Sequence, residues 1–174
     1  TENPNEEDLR RLMDYAENPD KTEQRYLISG VNCLPELAYE RMMETKRRYG
    51  KYGGIVAYHG YQSFKPGEVT PEQCHALGVE LAIRLWGDKY EVLVASHQDH
   101  EHLHNHFILN SVSFKDGEKF HCPPYYHDTV MAPESDKLCR EHNLSVIQNP
   151  QKKRAPYVAY MAEKKGKPSH RTLL

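Results

Sequence analysis

Five histidines and one aspartate lie within the ten residues from His97 to His106, which read H-Q-D-H-E-H-L-H-N-H. On a β-strand alternate side chains share a face, so His104 and His106 point the same way, with backbones about 7 Å apart. A short loop over residues 98–103 would bring His97, at the end of the preceding strand, beside them. Three imidazole nitrogens around a divalent cation leave positions open for water or substrate, which is typical of a catalytic metal site.

The same segment has a plainer explanation, as a polar surface loop that binds metal adventitiously. The apolar residues 107–109 follow directly, however, and favour a core strand that begins at the histidines. Asp99 is expected to accept an imidazole N–H and so fix the tautomer of a ligand. His102 has the same parity as His104 and is the alternative third ligand. Metal ligation alone does not name a reaction.

The helices that must surround this site are marked by capping residues. Asn5 is expected to cap a helix over residues 6–17, which the segment 18–20 ends; its apolar positions are Leu9, Leu12, Met13 and Ala16. A second helix, over residues 35–49, begins with proline and ends at Gly50. Thr70 and Gln73 form a capping box for a third helix over residues 71–86. A fourth helical pattern covers residues 135–141.

Strand patterns lie between these helices. Residues 54–61, 90–97 and 104–114 are rich in β-branched and aromatic residues, and a short strand is predicted at residues 119–122. Because the clearest neighbours are joined by short turns, we predict an α+β fold with a largely antiparallel central sheet flanked by helices. The predicted domain covers residues 1–150, and the basic residues 151–174 form an arm or the start of a further region.

Bulk composition narrows the class of protein. A chain of 174 residues, of which 38% are hydrophobic, suits one compact domain. Its formal charge of −2 provides no global positive field for a polyanion, so any DNA binding must depend on local patches. Four widely spaced cysteines indicate reduced thiols, and no apolar run approaches the roughly 20 residues that cross a bilayer. We therefore expect a cytoplasmic protein without membrane insertion.

Three separated motifs carry a family resemblance. They are the histidine pattern H-x-D-x-x-H-x-H-x-H, the sequence QSFKPGE at residues 62–68, and SDKLCREHNL at residues 135–144; Asp14 and Tyr15 precede them. Together they resemble the relaxases, or mobilisation nucleases, of conjugative plasmids and transposons, over roughly residues 9–150. Two departures stand out: Asn105 replaces the hydrophobic residue between the paired histidines, and the strand that usually precedes the tyrosine helix is missing.

The resemblance implies a bacterial nuclease of the histidine-hydrophobic-histidine class. Such an enzyme nicks one strand at a transfer origin, forms a 5′-phosphotyrosyl intermediate and later rejoins the ends. Carried onto this chain, the nucleophile is Tyr15 and the cation ligands are His97, His104 and His106. The implied cofactor is Mg²⁺ or Mn²⁺ in use, although Zn²⁺, Ni²⁺ or Co²⁺ also suit imidazole. The implied partners are the hairpin and single strand of the origin, with accessory relaxosome and coupling proteins.

The residues support the role of Tyr15 separately, because it lies off the apolar face of its helix. Its competitors are Tyr26 and the pair Tyr125 and Tyr126. Glu68 and His59 flank the QSF motif and are candidates to orient water, a ligand or the phenol, although Glu68 also precedes a helix start.

Local basic runs are the candidate DNA contacts. The predicted residues are Lys46, Arg47, Arg48, Lys51, Lys152, Lys153 and Arg154. Each run, taken singly, also fits an ordinary solvated surface.

Other functions remain open. A rolling-circle replication initiator or a transposase of the same nuclease class would use identical chemistry. A metal-dependent hydrolase would activate water and leave Tyr15 structural. A DNA-binding module with a vestigial metal site would have no activity.

Overall fold

The computed structural model describes residues 4–17, 27–99, 102–146 and 171–173. A five-stranded sheet is ordered β1-β3-β4-β2-β5. The strands are β1 (Ile28–Val31), β2 (Ala57–Ser63), β3 (Val92–Asp99), β4 (His102–Asn110) and β5 (Arg171–Leu173). The neighbours among β1 to β4 are antiparallel, and only β5 runs parallel to its partner, β2. The predicted α+β fold with a largely antiparallel sheet is confirmed.

The helices cover both faces of this sheet. They are α1 (Pro4–Ala16), α2 (Ala38–Tyr49), α3 (Pro71–Trp86) and α4 (Ala132–Glu141). On one face α1 and α2 pack against Leu93, Ala95 and Ile108. On the other, α3 and α4 pack against Val94 and Phe107 and their neighbours. The alternation of strand side chains therefore assigns the apolar residues of β3 and β4 to one of two cores.

Some helix ends follow their local signals closely, but α1 begins at Pro4, before its predicted cap Asn5, and α4 begins at Ala132 rather than at residue 135. The helix α3 has the predicted bounds, and the Thr70–Gln73 capping box is present. Gly50 ends α2 with a φ of 62°, in the left-handed region that glycine favours. The start of α2 is later than predicted because Pro35–Leu37 form a 3-10 turn first. The predicted stop of α1, at residues 18–20, lies outside the described residues.

Strand ends differ more from the prediction. The strand predicted at residues 54–61 begins only at Ala57, because Gly54 takes a φ of 78° and turns the backbone. The predicted loop over residues 98–103 is wrong: β3 and β4 stay paired as far as Asp99 and His102. The predicted strand at residues 119–122 is also wrong, since only an isolated bridge between Val112 and Lys119 forms there.

Among the described residues, no helix is both long and apolar enough to span a bilayer.

Candidate active site

The β3–β4 hairpin and β2 bring imidazoles from three strands onto the face that α1 and α2 cover. His97 lies opposite His104 in the β3–β4 ladder, and Ala95 lies opposite His106. On the other side of β4, Tyr61 of β2 lies opposite His106. Because paired residues share a face, the histidines meet at the hairpin end of the sheet.

The histidine cluster consists of His97, His104 and His106. Each ring offers one nitrogen, and the three atoms lie within 4.8 Å of one another, so they could hold one metal ion. Ring centroids are 4.1 Å apart for His97 and His106, and 4.9 Å apart for His104 and His106. The structure thus brings together the three histidines that the sequence predicted as ligands. His102 is exposed, lies on β4 rather than in a loop, and is not in the cluster.

Hydrogen bonds orient the rings of His97 and His106. Nε2 of His97 lies 2.5 Å from the carbonyl oxygen of Ala16, so this nitrogen donates and carries the proton. Nδ1 of His106 lies 2.8 Å from Nε2 of His59, and Nδ1 of His59 lies 3.2 Å from the Tyr61 hydroxyl. An imidazole held through one nitrogen presents its other nitrogen in a defined direction. His97 would therefore offer Nδ1 to a cation, and His106 would offer Nε2.

Sequence reasoning missed two members of this arrangement. The Ala16 contact is made by a backbone carbonyl, for which no residue type gives a signal. Tyr61 shares a strand face with His59, so period-two spacing could have identified it. Burial raises the pKa of the Tyr61 hydroxyl, and the nearby phenol of Tyr15 adds to this effect.

Tyr15 lies on α1 immediately before Ala16, at the edge of the histidine cluster. Its side chain is 50% exposed, whereas Leu9, Met13 and Ala16 of the same helix are buried, as predicted from the helical spacing. The centroid of its ring is 6.1 Å from that of His106 and 6.3 Å from that of His59. The carbonyl that holds His97 and the phenol beside His106 therefore belong to adjacent residues of one helix.

The competing tyrosines lie elsewhere or outside the described residues. Tyr126 is buried in the core on the α3 side of the sheet, where its hydroxyl accepts a hydrogen bond from Trp86. Tyr125, next to it, is 75% exposed. Tyr26 is not among the described residues.

Two carboxylates were predicted at the site, and the structure describes the side-chain contacts of Glu68 but not those of Asp99. The backbone of Asp99 pairs with that of His102 in the ladder at the hairpin end of β3. The side chain of Asp99 is not among the parts of the chain that the structure describes. The Glu68 carboxylate accepts hydrogen bonds from the backbone N–H and the hydroxyl of Ser145, which hold its pKa below the ordinary value. These bonds connect the loop before α3 to the segment after α4.

The predicted DNA-contacting residues fall into three groups. The structure contradicts the prediction for Lys46. This residue is 1% exposed and its ammonium donates to the side-chain oxygen of Asn110, so it cannot meet a phosphate at the surface. It lies on the inner face of α2, which the basic run itself does not reveal. Arg47, Arg48 and Lys51 are exposed. Residues 152–154 lie outside the described residues.

The fold and site define a class: an α+β domain with a three-histidine cluster on its sheet and a tyrosine on the helix beside it. A family model described as relaxase, MobA/VirD2-like, nuclease domain, matches residues 15–144. The chain therefore belongs to the MobA/VirD2-like relaxase family. All three separated sequence motifs lie within the matched segment.

Individual relatives agree with this assignment. A Protein rlx of Staphylococcus aureus is 42% identical over 144 residues, which cover 83% of this chain and 44% of that protein. Another S. aureus Protein rlx is 38% identical over 91% of this chain and 46% of its own length. The group II intron-interrupted relaxase LtrB of Lactococcus lactis is 31% identical over 67% of this chain and 25% of its own length. The chain spans somewhat less than half the length of the staphylococcal relatives. No solved structure matches it significantly.

Proposed function

We propose that this chain is the nuclease domain of a cytoplasmic bacterial relaxase that nicks one DNA strand at a conjugative transfer origin and later rejoins the ends. The observation that carries the proposal is the position of Tyr15, whose half-exposed ring lies beside His106 in a three-histidine cluster. A buried metal centre alone would serve many reactions. An accessible phenol next to it favours transesterification.

The donor set fits a divalent cation. His97 through Nδ1, His106 through Nε2, and His104 would hold the ion from two adjacent strands. A bound cation would polarise the scissile phosphate and stabilise negative charge in the transition state. Mg²⁺ or Mn²⁺ is the proposed working ion; Zn²⁺, Ni²⁺ and Co²⁺ also suit nitrogen ligands. Three neutral imidazoles leave the charge of the ion uncancelled, and this favours an anionic substrate.

The proposed reaction exchanges one phosphate ester for another. The Tyr15 oxygen loses its proton and attacks phosphorus, and the bond from phosphorus to the 3′-oxygen breaks. The departing 3′-oxygen takes up a proton, while the 5′ end stays on the tyrosine as a phosphodiester. Attack by a 3′-hydroxyl reverses these steps and rejoins a strand. The tyrosyl ester retains the energy of the broken bond. Hydrolysis would lose that energy.

Neighbouring residues would orient the groups that react. We assign His59 the role of a positioning residue, because it holds Nδ1 of His106 and is itself in contact with the Tyr61 hydroxyl. Asp99 remains our proposed acceptor for an imidazole N–H at the hairpin end. Glu68, bonded to Ser145, would act at most by supporting the site through the loop before α3.

The proposed substrate is the hairpin and adjoining single strand of a transfer origin. The exposed Arg47, Arg48 and Lys51, together with residues 152–154, would neutralise phosphates. Accessory relaxosome and coupling proteins are the proposed partners. We propose a nuclease domain over residues 1–150 and a basic arm over residues 151–174, of which residues 171–173 add β5 to the sheet.

The deciding experiment uses Tyr15→Phe, with Tyr125→Phe as the matched control. Each protein is incubated with Mn²⁺ and a labelled single-stranded oligonucleotide from the transfer origin of its own genetic element, then resolved on a denaturing gel. Wild type and Tyr125→Phe should form a covalent adduct that Tyr15→Phe lacks. Cleavage without an adduct would overturn the proposal in favour of a hydrolase. Covalent cleavage confined to a replication origin or a transposon end would assign the chain to an initiator or a transposase instead.

A further inference from the structure

Asn105 lies between His104 and His106 on β4, with its side chain on the opposite face of the sheet. It is 0% exposed, and it replaces the hydrophobic residue expected in the histidine-hydrophobic-histidine pattern. We propose that Asn105 is a positioning residue, whose buried amide locks this part of β4 so that His104 and His106 meet a cation in one fixed geometry. The inference rests on the proposed metal site and deepens it.

Every polar atom of the Asn105 amide is engaged. Its Nδ2 donates to Oε1 of Gln62 at 2.9 Å and to the carbonyl oxygen of Cys74 at 2.8 Å. Its Oδ1 accepts from the hydroxyl of Ser96 at 2.6 Å. These partners belong to β2, α3 and β3, so one side chain connects β4 to three neighbouring elements. A fully satisfied buried amide defines one arrangement, because any shift leaves a polar group unpaired.

The bonds continue outward from these partners on both sides. The Ser96 hydroxyl contacts Nδ1 of His75 at 2.7 Å, and Nε2 of His75 contacts the Ser29 hydroxyl at 2.6 Å. In the other direction, Nε2 of Gln62 donates to the Ser135 hydroxyl at 3.1 Å. The chain of bonds therefore extends from β1 to α4. It also joins the QSF and SDK motifs, which the proposed chemistry leaves without a role.

The backbone of α3 is shaped around the same amide. A Cβ atom placed on Gly78 would lie 2.4 Å from Nδ2 of Asn105, so only glycine lets the helix approach this closely. The approach brings the Cys74 carbonyl, one turn earlier in α3, into bonding distance of Nδ2. This close packing is independent of the hydrogen bonds and points to the same residue.

The position of Asn105 explains why its hydrogen bonds would affect the neighbouring ligands His104 and His106. Consecutive strand residues share a rigid backbone, so a rotation that moves residue 105 on one face tilts residues 104 and 106 on the other. A hydrophobic residue would fill the same space without directional bonds. The loss of a bond that holds a metal ligand in place typically weakens metal binding about 10- to 100-fold.

The test replaces Asn105 with leucine in the whole chain and measures Mn²⁺ affinity by calorimetry. Asn105→Leu should fold and bind Mn²⁺ about 10- to 100-fold more weakly than wild type. In the metal-free protein, the ring ¹⁵N shifts of His104 and His106 should also change. Gly78→Ala, which crowds the amide without removing it, should weaken Mn²⁺ binding in the same direction. Affinity within twofold of wild type in Asn105→Leu would overturn the inference.

A matched control separates positioning from general loosening. Leu109→Ala removes a buried side chain from the same strand and face, outside the bonded network, and should lower the midpoint of thermal unfolding while leaving Mn²⁺ affinity unchanged. An equal loss of affinity in Leu109→Ala would overturn the inference. If Asn105→Leu does not fold, Ser96→Ala decides: unchanged Mn²⁺ affinity counts against positioning. Failure of the wild type to bind Mn²⁺ would instead overturn the proposed metal site.

Discussion

The two ends of β4 carry buried polar clusters on the same face of the sheet, and the clusters are built differently. At one end, the Lys46 cluster consists of Lys46, Thr45, Glu91 and Asn110. Asn110 accepts from the Lys46 ammonium and donates to the Glu91 carboxylate at 3.0 Å, and Thr45 donates to the same carboxylate. At the other end, the histidine cluster is an assembly of imidazoles. One cluster contains its own cation and anion; the other contains nitrogen ligands.

This difference separates a cluster that contains its own opposite charges from the proposed metal site. A buried charge is costly unless hydrogen bonds and an opposite charge offset its burial. The Lys46 ammonium donates to Asn110, and the nearby Glu91 carboxylate opposes the effect of burial on the pKa of Lys46. Even so, burial lowers the pKa of Lys46 to about 7. The histidine cluster offers three nitrogen atoms that could hold a cation, and it lies beside an accessible tyrosine. We therefore expect metal to affect one end of β4 and internal charge balance to affect the other.

The largest expected effect is the loss of metal response in His106→Ala. Wild-type protein should be stabilised by Mn²⁺, by about 2.7 kcal/mol at one hundred times the dissociation constant. His106→Ala should lose this stabilisation and all DNA cleavage, because two nitrogens remain where three converged. Thermal unfolding with and without EDTA measures the response. A full Mn²⁺ response in the variant would refute the assigned ligand.

A smaller effect is expected from Glu91→Gln at the opposite end. Removing the carboxylate takes away the counter-charge of Lys46 and one of the two oxygens that accept from Thr45 and Asn110, so the free energy of unfolding should fall by about 2 kcal/mol. Mn²⁺ affinity should stay as in wild type. Urea unfolding measures the loss, and Glu44→Gln, which breaks an exposed pair with Arg41, is the control expected to change little. Loss of Mn²⁺ affinity in Glu91→Gln would show that the two ends are coupled.

The smallest expected effect is a pH dependence of the free energy of unfolding that is caused by Lys46. Its pKa is about 7 in the folded chain, whereas an unfolded lysine has a pKa of about 10.4. Between about pH 7 and pH 8.5 the unfolded chain keeps this proton and the folded chain releases it. The free energy of unfolding should therefore rise with pH, by at most about 1.4 kcal/mol per unit. Urea unfolding across this range should show the rise in wild type and a flatter profile in Lys46→Met.

The ends of α3 could be predicted from the sequence because their signals are local. The ends of strands were harder to predict because they depend on pairing with other strands. The bounds of α3 follow from Thr70, Gln73 and Pro71, which act within one turn of the helix. The ends of β3 and β4 were misplaced because strand length depends on continued pairing, which brought Asp99 and His102 into the ladder. Residues 119–122 have residue types that favour a strand, but the structure shows only one isolated bridge there, between Val112 and Lys119.

The sequence by itself determined the chemistry available to this protein: which imidazoles share a strand face, which face of α1 is apolar, and hence that Tyr15 is accessible. Period-two and period-3.6 spacing settle these facts within one element. Only the tertiary structure decided that the Ala16 carbonyl holds His97, that His59 holds His106, and that Asn105 connects four elements. It also removed Lys46 from the surface. Such contacts join residues far apart in the chain, and their geometry exists only once helices and sheet have packed.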